Sequence, residues 1–281
     1  MKKWYNKYLS VFEKPFDTAP SQVLAEIKEK IAQKQSLEPL VTIAVIAHNE
    51  ETRLLSCLWS LADTNTKYPI EIIGINNNSI DKTAQIFESI GLPTFFEEQK
   101  SCGYARRCGL QNAKGKYYIC IDSDTMYPPD YIQMMVEVLE KKDVVAVSAR
   151  WSFIPDKNHS WFSLKIYELI RDTHLYFQAF KRPELSVRGM TLAYKADLGR
   201  KVGYRVDIKR GEDGSMVLGL KQYGKIEFIR SAKARVVTAS NTLDGDGSIA
   251  QNLWKKMKTS LKHLPYFKKK NTYKDESSNL I

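Results

Sequence analysis

Tyr117-Tyr118-Ile119-Cys120-Ile121-Asp122-Ser123-Asp124 is the stretch that decides the fold. Its first five residues form an apolar run that reads as a strand buried on both faces. The run ends on two carboxylates one residue apart. Acids displayed where a strand gives way to a loop suit a hard divalent cation. Mg²⁺ or Mn²⁺ prefers oxygen donors and commonly takes one or two protein carboxylates, filling its other positions with water and phosphate oxygens. A metal diphosphate is the implied ligand. Asp-x-Asp by itself is common as a solvated loop or helix cap, so its meaning rests on what flanks it.

Upstream, residues 21–35 carry Val23, Leu24, Ile27 and Ile31 at helical spacing, an amphipathic helix ahead of the main domain. Residues 41–47 read as a strand, and Leu54, Leu55, Leu58 and Leu61 form one face of the next helix. Residues 70–75 are a second strand, 81–90 a second helix, 95–96 a short strand and 104–113 a helix leading into the quoted run. Downstream come a helix over 130–141 and a strand over 144–149. Alternating strands and helices predict a mostly parallel sheet with right-handed crossovers and a ligand edge at the strands' carboxyl ends. Three regions follow: a helical extension over 1–39, a domain over 40–240 and a tail over 241–281. Within the domain, 40–125 is expected to bind a nucleotide, and 126–240, less regular after about 150, to build the second substrate's site.

Lys and Arg number 43 against 32 Asp and Glu, a net charge of +11 that suits anionic partners without choosing among them. With 43% hydrophobic residues, the 281-residue chain buries a full core. Cys57, Cys102, Cys108 and Cys120 form no CxxC pair, so reduced thiols and a cytoplasmic location are expected. The basic start has no apolar leader behind it, and no stretch approaches the roughly 20 apolar residues of a membrane span.

Five segments in order resemble glycosyltransferase family 2, the large inverting family with the GT-A fold. Residues 41–50 resemble its first strand and Pro-x-Tyr-Asn-Glu loop, with Asn49-Glu50 kept, Ile46 for Pro and His48 for Tyr. Residues 75–83 resemble its Asp-Asp-x-Ser-x-Asp-x-Thr turn, with Asn76 where the base-reading Asp stands. Residues 103–109 and 113–115 are similar to its Ala-Arg-Asn-x-Gly helix and Ala-x-Gly turn. Asp122-Ser123-Asp124 matches the metal motif, and Gly211-Glu212-Asp213-Gly214 the Glu-Asp segment.

The resemblance implies a single GT-A domain, α/β with a Rossmann-like sheet flanked by helices, that moves a sugar from a nucleotide sugar to a glycan or lipid-linked acceptor with inversion. A UDP-sugar is the expected donor, although Asn76 loosens that choice because an amide both donates and accepts. Ala47, His48, Glu50, Asn76, Asn78, Arg106, Asp122 and Ser123 are implied to line the nucleotide, and Arg188 and Gly189 the donor sugar. Asp124, with Asp122, is implied to hold Mn²⁺ or Mg²⁺. Asp213 is implied as general base, with Glu212 orienting it or binding the acceptor. Arg106 has the alternative of a surface arginine on an amphipathic helix, and Gly189 that of an ordinary turn glycine.

Two other stretches stay open. Residues 161–180 are rich in aromatic and aliphatic side chains; packing onto the sheet is expected, with an acceptor or lipid-facing groove as the alternative. Residues 253–270 hold seven lysines and no acid among Leu253, Trp254, Met257, Leu261 and Leu264, the pattern of a helix on an anionic membrane or of a solvated tail packed on the domain. The cytoplasmic location would then be the membrane's inner face. His263 is a candidate late metal ligand or an exposed histidine; His159 and His174 have no companions at metal spacing.

Two other functions compete. A sugar nucleotidyltransferase would be expected to carry a glycine-rich basic loop after the first strand, where this chain has Ala47-His48-Asn49-Glu50. A non-catalytic nucleotide or nucleic-acid module has only the positive charge in its favour, and nucleic acid is not expected as a partner.

Overall fold

The computed structural model describes residues 3–240 and Leu243; the segment 253–270 and His263 lie outside them. The elements run α1 (Ser21–Lys34), β1 (Val41–Ala47), α2 (Leu54–Ala62), β2 (Ile70–Asn76), α3 (Thr83–Ile90), β3 (Thr94–Phe96), α4 (Cys102–Asn112), β4 (Tyr117–Asp122), β5 (Thr125–Met126), α5 (Tyr131–Leu139), β6 (Val144–Ala149), β7 (Trp151–Phe153), α6 (Trp161–Lys181), β8 (Leu192–Lys195), α7 (Ala196–Val202), α8 (Glu212–Leu220), β9 (Lys225–Ile229) and β10 (Val236–Thr238). The alternation up to β6 matches the expected elements to within a few residues. The later strands were not foreseen.

The main sheet is seven-stranded, in the order β3-β2-β1-β4-β8-β6-β9. Its two faces are covered by different side chains of the same strands, as the period-two pleat requires. Ile43, Val45, Ile119 and Ile121 join one core cluster with α2 and α5, while Ala44, Ile46, Tyr118 and Cys120 join the other with α4, α7 and α8. Tyr8, Phe16, Ile27 and Ile31 belong to the first cluster, so the N-terminal residues share the domain's core.

Register fixes the functional edge. Parallel pairing sets Ala47 opposite Asn76 and Ile46 opposite Asp122, which brings the carboxyl ends of β1, β2 and β4 together. β8 runs antiparallel between β4 and β6, with Ala193 opposite both Ile119 and Val147. An antiparallel strand delivers its beginning, not its end, to that edge. Gly189–Thr191, which immediately precede β8, therefore arrive beside Asp122. A small second sheet, ordered β5-β10-β7, sets Thr238 opposite Thr125 and so stands beside the acidic motif.

α6 departs from the expected packing of residues 161–180. Its inner face buries Leu164, Tyr167, Glu168 and Arg171, while Phe162, Leu169, Phe177 and Phe180 are 65–69% exposed. The buried side carries the charged residues because β7 meets the helix with polar partners. Glu168 accepts from Ser152 Oγ at 3.0 Å and from the Phe153 N–H at 2.9 Å, and Arg171 Nη2 donates to the Trp151 carbonyl at 2.6 Å.

Candidate functional site

The loop after β1 is stapled to the loop after β2. Asn49 Oδ1 accepts the Ile80 N–H at 2.9 Å, Ser79 Oγ accepts the Asn49 N–H at 3.1 Å, and Thr83 Oγ1 accepts the Glu50 N–H at 2.8 Å. Asp81 accepts the N–H groups of Glu51 and Thr83, each at 2.9 Å. Partial burial alone would raise the Asp81 carboxyl; these bonds outweigh it and hold the group below its usual value. Asn49 and Asn78 both have φ of 54°, the left-handed conformation asparagine tolerates best after glycine.

Most of the expected nucleotide-lining polar residues meet along this seam. His48 Nδ1 lies 2.7 Å from the Asn77 carbonyl, Asn76 Oδ1 accepts the Ser79 N–H at 3.1 Å, and Asn78 Nδ2 donates to the Glu98 carbonyl at 2.9 Å. Ala47, Asn76 and Ser123 are buried at the strand ends. The staple gives Ser79, Asp81 and Thr83 their part here: they shape the loop that carries Glu50.

The acids are grouped. Asp124 Oδ1 accepts from Thr125 Oγ1 at 2.9 Å and Thr238 Oγ1 at 3.3 Å. Burial and then Asp122 push the Asp124 carboxyl up to about 6, and burial and then Asp124 push Glu50 up to about 7. Glu50 Oε2 is buried without a hydrogen-bond partner and lies 3.6 Å from Arg53 Nη1, whose other terminal nitrogen is 3.5 Å from Glu13 Oε1. Crowded, desolvated carboxylates with an unsatisfied oxygen are what a cation would complete.

Among the described residues no group of three or more His, Cys, Asp or Glu side chains is arranged to hold a metal ion. A one- or two-carboxylate site shared with phosphate and water fits the donors that are present, all of them hard oxygens. Asp122 Oδ1 is engaged by Arg106 and Asp124 Oδ1 by the two threonine hydroxyls, which leaves the second oxygen of each carboxylate for a cation.

Arg106 is the hub. It is 2% exposed, which excludes a surface arginine, and its Nη2 donates to Asp122 Oδ1 at 2.5 Å while its Nε lies 3.4 Å from Asp213 Oδ1. Burial alone would favour the neutral guanidine, but Asp122 and Asp213 outweigh it and keep the group charged. Asp213 and Glu212 open α8, behind Gly211 at φ 95°, a conformation that favours glycine. Burial raises the Asp213 carboxyl against the pull of Arg106, and burial with neighbouring Asp213 brings Glu212 to about 7.

Gly189 lies against this pair. A Cβ there would overlap Arg106 Nη2 and stand 2.5 Å from Asp213 Oδ2, so the position is closed to larger residues. Arg188 donates from Nη1 to the Val187 carbonyl at 2.6 Å, and its guanidinium lies 5.8 Å from the Trp151 ring. Its charge lowers Asp213 further.

Sequence reasoning passed over Arg53, Thr125 and Thr238. Arg53 stands three residues after Glu50, a spacing that could have flagged it. Thr238 meets Asp124 across 114 positions with no motif to announce it.

A pH dependence follows. Carboxyls whose folded values exceed their unfolded ones favour the protonated form, so the stability they contribute is full below the unfolded value and is lost as pH rises through the folded one. For Asp124, Glu50 and Glu212 that loss is centred at about 6 to about 7. Without divalent cation, the melting temperature is expected to fall between about pH 5.5 and 8, and Mn²⁺ to raise it more at the higher pH. A cation-induced shift of equal size at both pH values would disprove this assignment.

The comparisons with known proteins agree with the geometry. The family model described as Glycosyl transferase family 2 matches residues 42–198. An uncharacterized glycosyltransferase of Rickettsia prowazekii is 31% identical over 176 residues, covering 60% of this chain and 55% of that protein. Glycosyltransferase GlyA of Streptococcus pneumoniae is 29% identical over 188 residues, 62% of this chain and 27% of that protein. The chain thus spans about half the length of the Rickettsia relative, and less of the other. Among solved structures, TarS of S. aureus in complex with UDP superposes with a TM-score of 0.53 at 17% identity, covering 71% of this chain and 60% of that one. The mannosyltransferase of Pyrobaculum calidifontis in complex with GDP-Man and Mn²⁺ gives 0.54 at 18% identity, covering 83% and 63%. Glucosyl-3-phosphoglycerate synthase of Mycobacterium tuberculosis gives 0.54 at 17% identity, covering 84% and 82%. With its motifs converging on one sheet edge and the family model covering more than half its length, the chain belongs to glycosyltransferase family 2.

Proposed function

We propose that this protein transfers a sugar from a nucleotide sugar, with a UDP-sugar favoured, to a glycan or lipid-linked acceptor, with inversion and with divalent-metal assistance. One observation carries the reading: a single buried guanidinium, that of Arg106, contacts Asp122 of the metal motif and Asp213 of the Glu-Asp segment, about ninety residues apart in sequence. The acids assigned to opposite ends of the reaction are therefore bridged by one side chain. Two neighbours of the same fold hold UDP or UDP-glucose and one holds GDP-Man, two of the three with Mn²⁺, which supports a metal-bound nucleoside diphosphate as leaving group.

In this mechanism Asp124, with Asp122 beside it, would hold Mn²⁺ or Mg²⁺, which when bound neutralises charge on the departing diphosphate. Glu50, Asn76 and the stapled loops form the nucleotide side, and Arg188 and Gly189 the donor-sugar side. Asp213 takes the proton of the acceptor hydroxyl as the new C–O bond forms and the anomeric C–O bond to the diphosphate breaks on the opposite face. Arg106 keeps Asp213 oriented and its anionic form accessible despite burial. Glu212, at about 7, sits where it can orient the base or hydrogen-bond the acceptor.

Residues 126–240 form the acceptor half in this scheme. A cytoplasmic location, with the basic 253–270 segment on the membrane's inner face, would match a lipid-linked acceptor. Incubation with a panel of nucleotide sugars and Mn²⁺ is expected to release nucleoside diphosphate, and Asp124→Ala to reduce that release by at least about a hundredfold. Pyrophosphate released from a sugar phosphate and a nucleoside triphosphate would replace this reading with nucleotidyl transfer.

A further inference from the structure

Most of the exposed large apolar side chains among the described residues sit on one helix, α6. Trp161, Phe162, Leu169, Ile170, Phe177 and Phe180 all face outward there. A soluble domain rarely leaves so large a contiguous aromatic surface uncovered unless something binds it. The same helix carries two acids, and both are turned inward. Glu168 is held by Ser152, the Phe153 N–H and Lys165 Nζ at 2.7 Å, and Asp172 by Arg171 at 2.8 Å and Arg235 at 2.5 Å. The exposed charged side chains along the face are basic: Lys165, which reaches back to Glu168, Lys181, and Arg230 from the neighbouring β9 edge, whose guanidinium lies 4.3 Å from the centre of the Tyr176 ring.

From this pattern we infer that the outer face of α6 docks this protein on the surface of an anionic lipid bilayer. Apolar and aromatic side chains along one side, with cationic residues and no exposed acid beside them, are what a helix lying in the headgroup plane requires. At 21 residues the helix is about 30 Å long, enough to lay the whole face on the surface. It does not cross the bilayer: among the described residues no helix is long and apolar enough to do so. Charge decides between occupants. A second copy of the chain would bring the same cations, Arg230 among them, to the face, whereas anionic headgroups complement them.

The helix is also a rigid platform. The Arg171 guanidinium stacks 4.1 Å from the centre of the Trp151 ring, and Arg235 Nη1 donates to the Trp151 carbonyl at 3.1 Å. Trp151 in turn neighbours Arg188, which leads directly to Gly189 beside Asp213. Docking through α6 places the membrane on the acceptor half, and for this last step the inference rests on the reading of a lipid-linked acceptor. The docking itself does not.

The test uses the full chain and flotation with vesicles of phosphatidylcholine, with and without phosphatidylglycerol. The parent protein is expected to float with the anionic vesicles. The combined variant Leu169→Ser, Phe177→Ser, Phe180→Ser should lose at least about tenfold of that partitioning. Arg230→Glu should weaken binding to anionic vesicles only. All these positions are exposed, so melting temperature and the stabilisation by nucleoside diphosphate should not change. Equal flotation of parent and triple variant would overturn the inference and move the contact elsewhere, to residues 253–270 for example. It would equally fall if the parent were a dimer that the triple variant converts to a monomer, with neither binding vesicles. Loss of vesicle binding in a chain that shows no nucleotide binding at all would leave the docking face standing and remove the proposed function instead.

Discussion

Asp213→Asn is expected to lower kcat by roughly 10²–10⁴-fold, the usual worth of a positioned general base, while the affinity for nucleoside diphosphate changes by less than about threefold. The amide keeps the shape of the carboxylate but cannot accept the acceptor's proton. Because Asp213 lies beside Gly189 and Arg106, where the larger side chains would collide, Asn is the substitution least prone to move its neighbours. The readout is the split between kinetics and binding, measured by nucleoside diphosphate release and by calorimetric titration with the diphosphate and Mn²⁺. If both fall together, Asp213 belongs to nucleotide binding and the base lies elsewhere, with Glu212 the next residue to test. Asp124→Ala gives the opposite pattern, with cation and nucleotide affinity both reduced. The two variants therefore separate the two sides of the cleft.

The first half of the fold was legible because its signals are local. β1, β2 and β4 are mostly apolar runs, broken by Thr42 in β1 and Glu71 in β2, and each lies between helices with a clear apolar face, so parallel order followed from alternation alone. The second half depends on pairings that local sequence does not encode. β7 and β10 are three residues each and meet across 85 positions, Trp151 opposite Val236. β8 enters the middle of the sheet with its direction reversed. Nothing in Leu192-Ala193-Tyr194 announces that reversal, yet it is what delivers Gly189 to the site.

The site divides in the same way. The motifs named Glu50, Arg106, Asp122, Asp124 and Asp213, but that Arg106 joins Asp122 to Asp213 depends on its burial, a tertiary outcome. α6 shows the limit of apolar patterning from another side. Apolar side chains occur around most of its circumference, so periodicity did not tell which side the domain would cover. The side it covers is marked by Glu168, Arg171 and Asp172 and their partners on β7 and just before β10, an inversion of the usual rule that only those partners explain.

Arg106→Met should be among the most damaging single substitutions for stability. It preserves side-chain length and removes the one cation shared by Asp122 and Asp213, leaving the largely buried Asp213 carboxylate without its ion-pair partner. Breaking a buried pair from one side typically costs about 3–5 kcal/mol, because the remaining charge is uncompensated. Arg106→Lys should recover only part of this, since an ammonium is a point charge and cannot address Asp122 through Nη2 and Asp213 through Nε at once. The variant's pH dependence identifies the cause. Without the guanidinium, Asp213, already held above its usual value by burial, should titrate higher still, so that stability is retained at low pH and lost as pH rises through the shifted value. Chemical denaturation of Arg106→Met at about pH 5 and pH 8 should thus show a larger deficit against the parent at the higher pH. Adding Asp122→Asn and Asp213→Asn to Arg106→Met should return part of the lost stability, a non-additivity expected only if the three groups form one unit. A deficit of the same size at both pH values, unrelieved by the two amides, would show that Arg106 contributes packing rather than charge, and the electrostatic link between the metal motif and the base would have to be abandoned.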